Sequence, residues 1–376
     1  RINTDAIDNS AGVDCSDHEV NIKIAFGSAM AAKRLTLKSR DALLKKMTDE
    51  VATLVLRDNM LQTQAITIAQ GQGTSLLEPA SQLMTTLEAD GFLNRAIEFL
   101  PDSKQIAELR STKQGLSRPE IAVLLAYAKM SFFKELAESK LLDAPYFEAD
   151  LLRYFPKAMA RDFAGDMKTH RLRREIVATM ITNSIVNRTG FSMAHSLMRA
   201  TGLGAGDVAQ AYIATRDAFR LRDLWRAIES LDGRVTAQVQ SQLFVAANQF
   251  IEHSCRWFLA HVKQPMNIDD VMARYTPAIA QIEKDARAIM SDSARKAFDE
   301  TIEKLTAQHV PEALAERVAM LEVMTAACDI ADAAALSKLN VATVGRIYFE
   351  VGAGLKLGWL RGAAQDLVAE NYWQQL

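Results

Sequence analysis

The stretch from Ser117 to Leu136, SRPEIAVLLAYAKMSFFKEL, decides the fold class. Its apolar residues Ile121, Leu124, Leu125, Ala128, Phe132 and Leu136 recur at three- and four-residue steps. That spacing places them on one face of a helix with 3.6 residues per turn. Ser117 and Glu120 fit a capping box, in which the serine oxygen accepts from an early helix amide and the glutamate reaches back to the serine amide. Pro119 stands where a first-turn amide needs no partner. Ile121 to Phe133 is the densest apolar run of the chain, and Lys129 interrupts it. No run therefore approaches the roughly 18 apolar residues of a membrane span.

Outward from this stretch the pattern repeats. Val235, Val239, Leu243, Ala247, Phe250 and Trp257 form a longer stripe, and Leu314, Val318, Leu321, Met324 and Cys328 a third. Alternation at period two is nearly absent. Ser16 with Glu19 fits a second capping box, Pro311 is placed to open a helix, and Gly91, Gly115, Gly190, Gly233 and Pro265 fall where helices should end. Seams are expected at Gly71–Ser75, at Gly202–Gly206 and at Lys263–Asp269. No repeat of fixed period is present, which favours an irregular multi-helix bundle over a solenoid. The expected class is all-α. The exception is residues 1–15, where Arg1–Ile7 reads as the tail of a strand and Asp8–Val13 as a small-residue loop entering a helix capped at Ser16. Strand, tight loop and helix start is how α/β enzymes aim polar groups at ligands.

The 376 residues are 49% hydrophobic and 24% charged, ample apolar material for a sizeable core, and the length alone suggests two or three domains. A net charge of −2 gives no general attraction to nucleic acid or to an acidic membrane surface. The N-terminus has no secretion signal. Cys15, Cys255 and Cys328 are far apart and odd in number, which fits reduced thiols in cytoplasm better than a disulfide framework. The chain starts at Arg1 without an initiator methionine and stops at Trp373–Leu376 without a capping glycine, so both ends read as cuts in a longer polypeptide.

Several clusters bear on chemistry. Asn3, Asp5, Asp8, Asn9, Asp14, Ser16, Asp17, His18 and Glu19 crowd one segment. A solvated acidic leader with a good helix cap accounts for them. A metal site is the weaker reading, because they follow neither calcium-loop nor zinc spacing. The basic run Lys168–Arg174 precedes apolar positions, where cations oppose the helix dipole. Pairing with acidic groups is favoured there over an anionic effector, and nucleic acid is third because no aromatics interleave. His253, Cys255 and His261 share a predicted helix but not a face, and read as packing residues rather than a metal site. Asn183 and Asn187 suit hydrogen bonds between helices. Gly202–Gly206 and Gly352–Gly358 lack the spacing and the preceding strand of a dinucleotide loop. The 15 methionines read as core filling.

Residues Ile2–Lys23, INTDAIDNSAGVDCSDHEVNIK, resemble the signature closing the catalytic domain of the large bacterial NAD-dependent glutamate dehydrogenases. The helical remainder is similar, in softer terms, to the C-terminal region of that family. The same loop also resembles a shorter glutamate dehydrogenase pattern, onto which Asn9, Gly12, Val13, Ser16 and Glu19 fall. The sequence departs from that pattern at Asp17-His18, where an aromatic pair is usual. The resemblance implies that Asn9, Gly12 and Val13 lie near the nicotinamide end of NAD and that Ser16 lies near the substrate's distal carboxylate. A serine at a helix start, among free amides, suits a carboxylate. It further implies residues 1–24 as the edge of an upstream Rossmann-type catalytic domain and 25–376 as a helical C-terminal domain, subdivided near 202–206 or 263–269. The whole protein would convert L-glutamate to 2-oxoglutarate and ammonia with NAD, as a cytoplasmic homo-oligomer, without metal, nucleic acid or membrane. Catalytic lysine and aspartate would lie upstream, leaving the fragment inactive and its helices structural, oligomerising or regulatory. The rival expectation is a stand-alone helical interaction or scaffold module, which a reading frame beginning near Arg1 would favour.

Overall fold

The structure, a computed structural model, describes residues 2–365, and every element in them is helical. The first ten helices are α1 (Asp5–Asp8), α2 (Ser10–Ala31), α3 (Leu37–Gln72), α4 (Leu77–Ala89), α5 (Ser103–Ser111), α6 (Arg118–Ala137), α7 (Glu148–Tyr154), α8 (Lys157–Ala160), α9 (Ala164–Lys168) and α10 (Arg173–Thr189). There follow α11 (Met193–Thr201), α12 (Ala205–Ala218), α13 (Leu221–Glu229), α14 (Ala237–His261) and α15 (Ile268–Ile289). The last five are α16 (Asp292–Ala307), α17 (Glu312–Met324), α18 (Ala327–Ser337), α19 (Val341–Gly354) and α20 (Leu357–Gln365). The all-α expectation holds. The chain divides into two compact units, Arg1–Ile213 with Cys255–Ile268, and Ala214–Ser254 with Asp269–Leu376.

The first unit is organised around α6. Its capping box forms as expected: the Ser117 amide donates to Glu120 Oε2 at 2.6 Å, and the Glu120 amide to Ser117 Oγ at 3.5 Å. All six residues of its apolar stripe are at most 2% exposed. Of these, Ile121, Leu124, Leu125 and Ala128 pack with Ile66, Leu77, Leu83, Met84 and Val186 in one continuous core, contributed by α3, α4 and α10. At roughly 25 cal/mol per Å² of apolar surface removed from water, each large member contributes about 1.5–3 kcal/mol. Gly115 leads into α6 against the end of α3. A Cβ there would lie 2.8 Å from Gly73 Cα, so only glycine permits the approach.

The second unit holds α16 against α17 and α18 against α19, over a core that includes Ala286, Met290, Phe298, Ala319 and Val323. The third stripe is buried, but not on one helix. Leu314 to Met324 lie on α17, and Cys328 on α18 after a turn at Thr325-Ala326. The closing residues Trp373–Leu376 lie outside the described residues.

The N-terminus departs from its expected form. Among the described residues there is no strand, and Asp5–Asp8 and Ser10–Ala31 are helical. A lone strand leaves its amides unpaired. Here the backbone closes on itself, with the Asp8 amide donating to Thr4 O at 2.8 Å and the Asn9 amide to Asp5 O at 2.9 Å. The turn buries Ile7, 2% exposed, in the core of α3 and α6. The Ser16–Glu19 box does not form, because Ser16 sits in the body of α2 and Glu19 pairs with Lys23 instead.

Candidate functional site

Helix α2 has two unlike faces. Asn9, just before it, and Gly12, Val13, Ser16 and Val20 within it are all exposed. Their spacing of three and four residues sets them on one side. The sequence-based candidates are therefore together, at a surface. On the opposite side Asp14, His18, Ile22, Ala25 and Phe26 turn inward, and there the structure assembles a polar nest that the sequence reading did not find.

The nest draws on four further places. Helix α3 supplies Asp58, Asn59 and Gln62, α6 supplies Lys129, Tyr154 ends α7, and His170 precedes α10. The His18 ring stacks on Tyr154 with centroids 4.4 Å apart, and its Nε2 lies 3.8 Å from Asp14 Oδ1. Asn21 Nδ2 donates to the Tyr154 hydroxyl at 2.8 Å, and His170 Nε2 lies 3.1 Å from the Asn21 carbonyl. Lys129 Nζ donates to Gln62 Oε1 at 3.1 Å. Gln62 Nε2 in turn donates to Ser10 Oγ at 3.2 Å, and Asn59 Nδ2 donates to Ser10 Oγ at 3.0 Å and to Ile7 O at 3.1 Å. At the chain's start, Arg118 Nε donates to Asn3 Oδ1 at 3.0 Å.

Burial and mutual charge set the ionisation. Burial raises the Asp58 carboxyl to about 6, with Asp14 pushing the same way and His18, Lys129 and Arg57 opposing. Burial lowers the Lys129 ammonium to about 8, against the attraction of Asp58 and Asp14. Burial also raises Asp14, lowers His18 and raises the Tyr154 phenol. Near neutral pH Asp58 is mainly a carboxylate and Lys129 mainly an ammonium, while burial holds His18 toward its neutral imidazole. The nest's satisfaction is incomplete, since Asp14 Oδ2, His18 Nδ1 and Asn21 Oδ1 are buried without a hydrogen-bond partner.

Asp14, His18 and Asp58 each offer a ligand atom, and these lie within 4.8 Å of one another. One imidazole and two carboxylates suit a divalent ion. The positive charge that such a trio demands is already present in Lys129, whose ammonium is attracted to both carboxylates. The same side chain marks where the sequence held a signal: a lysine inside the densest apolar run points to a buried charge, which is costly unless it is paired.

Elsewhere the basic run is engaged in pairing. Lys168 meets Glu148 at 2.5 Å, Arg174 pairs with Asp143, and Arg174 Nη2 donates to Ala137 O at 3.1 Å and Ser139 O at 3.0 Å. Ala137 ends α6, so the cation sits at the favourable, negative end of a helix. Cys255 is buried, but His253 and His261 are at the surface. His253 reaches Thr325 O at 3.3 Å, and His261 stacks on Trp257 at 4.8 Å. Asn187 is buried with Oδ1 unpartnered. Gly202 caps α11 with φ +69°, and Gly352 and Gly354 lie inside α19. Among the described residues neither follows a strand, so neither is the glycine-rich loop of a dinucleotide site.

Two family descriptions match different parts of the chain. Residues 1–69 match the bacterial NAD-glutamate dehydrogenase catalytic domain, and residues 113–376 match glutamate dehydrogenase, C-terminal. Asp14, His18 and Asp58 fall in the first and Lys129, Tyr154 and His170 in the second, so the nest is the joint between them. The whole chain is 38% identical to the NAD-specific glutamate dehydrogenase of Pseudomonas aeruginosa, 37% to that of Halomonas elongata and 33% to that of Mycobacterium tuberculosis. It spans 23% of the length of each. With more than half of its residues matched by one family description, the chain belongs to the glutamate dehydrogenase C-terminal family.

Proposed function

We propose that this chain is the C-terminal part of an NAD-dependent glutamate dehydrogenase. The reaction is L-glutamate, NAD and water giving 2-oxoglutarate, ammonium, NADH and a proton. The observation that carries this is the match of residues 1–69 to the bacterial NAD-glutamate dehydrogenase catalytic domain, followed in the same chain by the C-terminal match over residues 113–376. NAD, when bound, accepts the hydride from the substrate's α-carbon. Residues 1–24 are the ligand-facing edge of the catalytic domain within the stretch 1–69 that matches it, and the helices behind that stretch support it. The protein acts in amino-acid catabolism in the cytoplasm as a homo-oligomer, and no helix among its described residues is long and apolar enough to cross a membrane.

Within that reading the exposed face of α2 is turned toward substrate and cofactor. Ser16 donates its hydroxyl to the distal carboxylate of glutamate, while Asn9, Gly12 and Val13 border the nicotinamide. The grouping of these four on one exposed face supports the assignment. Removing one hydrogen bond to a charged group costs about 1.5–3 kcal/mol. Ser16→Ala in the full-length enzyme is therefore expected to raise the Michaelis constant for glutamate by about 10-fold or more and leave that for NAD nearly unchanged. Unchanged glutamate kinetics would refute the role of Ser16. An intact enzyme that produces no NADH from glutamate would refute the activity itself.

A further inference from the structure

We propose that Lys129 is a positioning residue for the substrate-facing side of α2. It reaches from the C-terminal family region into the acidic nest of the catalytic-domain stretch, and so holds Asn9 and Ser16 in place. This rests on the reading of α2 under Proposed function.

The geometry is a relay of three side chains. Lys129 Nζ donates to Gln62 Oε1 at 3.1 Å, and Gln62 Nε2 donates to Ser10 Oγ at 3.2 Å, where Asn59 Nδ2 also donates at 3.0 Å. Ser10 is the first residue of α2 and follows Asn9 directly. Near the middle of the helix, Tyr154 stacks on His18 at 4.4 Å and accepts from Asn21 at 2.8 Å. After its end, Arg34 pairs with Asp166 at 2.5 Å. Tyr154 and Asp166 of the C-terminal region thus meet α2 at its middle and just after its end, and Lys129 reaches its start through Gln62.

Lys129 differs from the other grips in being a buried cation attracted to two carboxylates on different helices. Asp14 is carried by α2 and Asp58 by α3. The charged and titratable groups that act on this pair are Lys129, His18, Asp17 and Arg57. Without the ammonium, two half-buried carboxylates repel each other across the packing of α2 on α3. In a poorly solvated setting such repulsion is strong. The compliant partner is α2, a helix with one face exposed, so its rotation or lift relieves the repulsion and displaces Ser16 and Asn9. A purely apolar contact at Lys129 would lack this directionality.

The test uses the full-length enzyme. Lys129→Met is expected to raise the glutamate Michaelis constant by about 10-fold, the factor for 1.4 kcal/mol of coupling between close charges, and to change that for NAD by less than about 2-fold. Asp58→Asn in the Lys129→Met background leaves one carboxylate where there were two and is expected to return the glutamate value to within about 3-fold of wild type. Lys129→Arg, which keeps the charge, is expected to lie nearer wild type than Lys129→Met. Should Lys129→Met give no soluble enzyme, recovery of soluble, glutamate-saturable enzyme on adding Asp58→Asn supports the proposal, and failure to recover it overturns it. Unchanged glutamate kinetics in Lys129→Met overturns it too, as does equal weakening of glutamate and NAD that Asp58→Asn does not restore. A wild-type enzyme inactive on glutamate fails the functional reading instead, and that outcome is visible before any variant is made.

Discussion

Asp58→Asn should change how stability depends on pH, and the sign follows from the direction of the Asp58 shift. Burial raises this carboxyl from 3.8 to about 6. Below the lower value Asp58 is protonated whether the chain is folded or unfolded, and its preference for the neutral form is fully expressed. Between the two values the folded protein keeps a proton that the unfolded chain has released. Unfolding then expels that proton, and each unit of rising pH lowers stability by about 1.4 kcal/mol. Across the window the loss accumulates to about 3 kcal/mol, after which the contribution is flat. An asparagine side chain cannot titrate, so the variant lacks this slope. Urea unfolding followed by circular dichroism at steps between about pH 4 and pH 7 gives the stability difference between the two proteins. The parent is expected to lose ground to the variant by about 2–3 kcal/mol between about pH 4 and pH 6. Parallel curves would refute a buried, pH-labile Asp58 and with it the account of the nest.

Three further outcomes are expected. His195, whose Nε2 lies 2.8 Å from Ser131 Oγ, is lowered by burial to about 4, so stability falls as pH drops from 6.5 toward 4; His195→Gln should remove that slope in the same unfolding series, and an unaltered slope would contradict it. Because His195 and Asp58 act with opposite signs in an overlapping window, the parent's own profile should be flatter than that of either variant. Gly115→Ala drives a Cβ to 2.8 Å from Gly73 Cα, and overpacking against backbone should cost about 1–3 kcal/mol, read as a fall in Tm. Zinc or manganese ions should leave the Tm of the full-length protein unchanged, since the Lys129 ammonium is already drawn to both Asp14 and Asp58 and would repel a second cation; an increase abolished by Asp58→Asn would instead make the Asp14–His18–Asp58 trio a metal site.

What the sequence discloses and what it hides divide by range. Helix α6 is legible because all its signals are local: the stripe, the Ser117–Glu120 box and Pro119 lie within one stretch. The Asp102–Gln105 box opening α5 is equally local, though the helix behind it is short and buries only Ile106. The break between α17 and α18 is not legible, since Thr325-Ala326 carries neither glycine nor proline and the apolar spacing runs through it. At the N-terminus, Ser16 and Glu19 match a cap in composition, but capping needs a free helix start, and the helix begins earlier, at Ser10. The grouping of Asn9, Gly12, Val13 and Ser16 is readable, and the helical form of their backbone is not. The nest is hidden for another reason: Asp14, Asp58, Lys129 and Tyr154 come from four helices, and only packing brings them together. Lys129 within an apolar run is the single local trace of it.

A polar joint between two family regions calls for a physical reason, because stability alone does not supply one. Replacing a buried ion pair by well-packed apolar groups is often neutral or stabilising, whereas removing one partner is strongly destabilising. Had α2 only to be held against α3 and α6, the apolar side already formed by Ile22, Ala25 and Phe26 could have continued through positions 14 and 18. Apolar faces, however, tolerate small rotations and slides with little penalty, since burial is non-directional. The contacts at Asp14, His18 and Asn21 are directional: a stacked ring, a hydroxyl at 2.8 Å and a charge shared between helices. They penalise any rotation of α2, and rotation is the motion that would carry Ser16 away from a ligand on the exposed side. The buried atoms left without partners, Asp14 Oδ2 and His18 Nδ1 among them, fit the same logic, because a joint shaped to fix one orientation need not satisfy every group within it. The C-terminal region then contributes to function through the register it imposes on one helix, and Lys129 is where that imposition is electrostatic rather than steric.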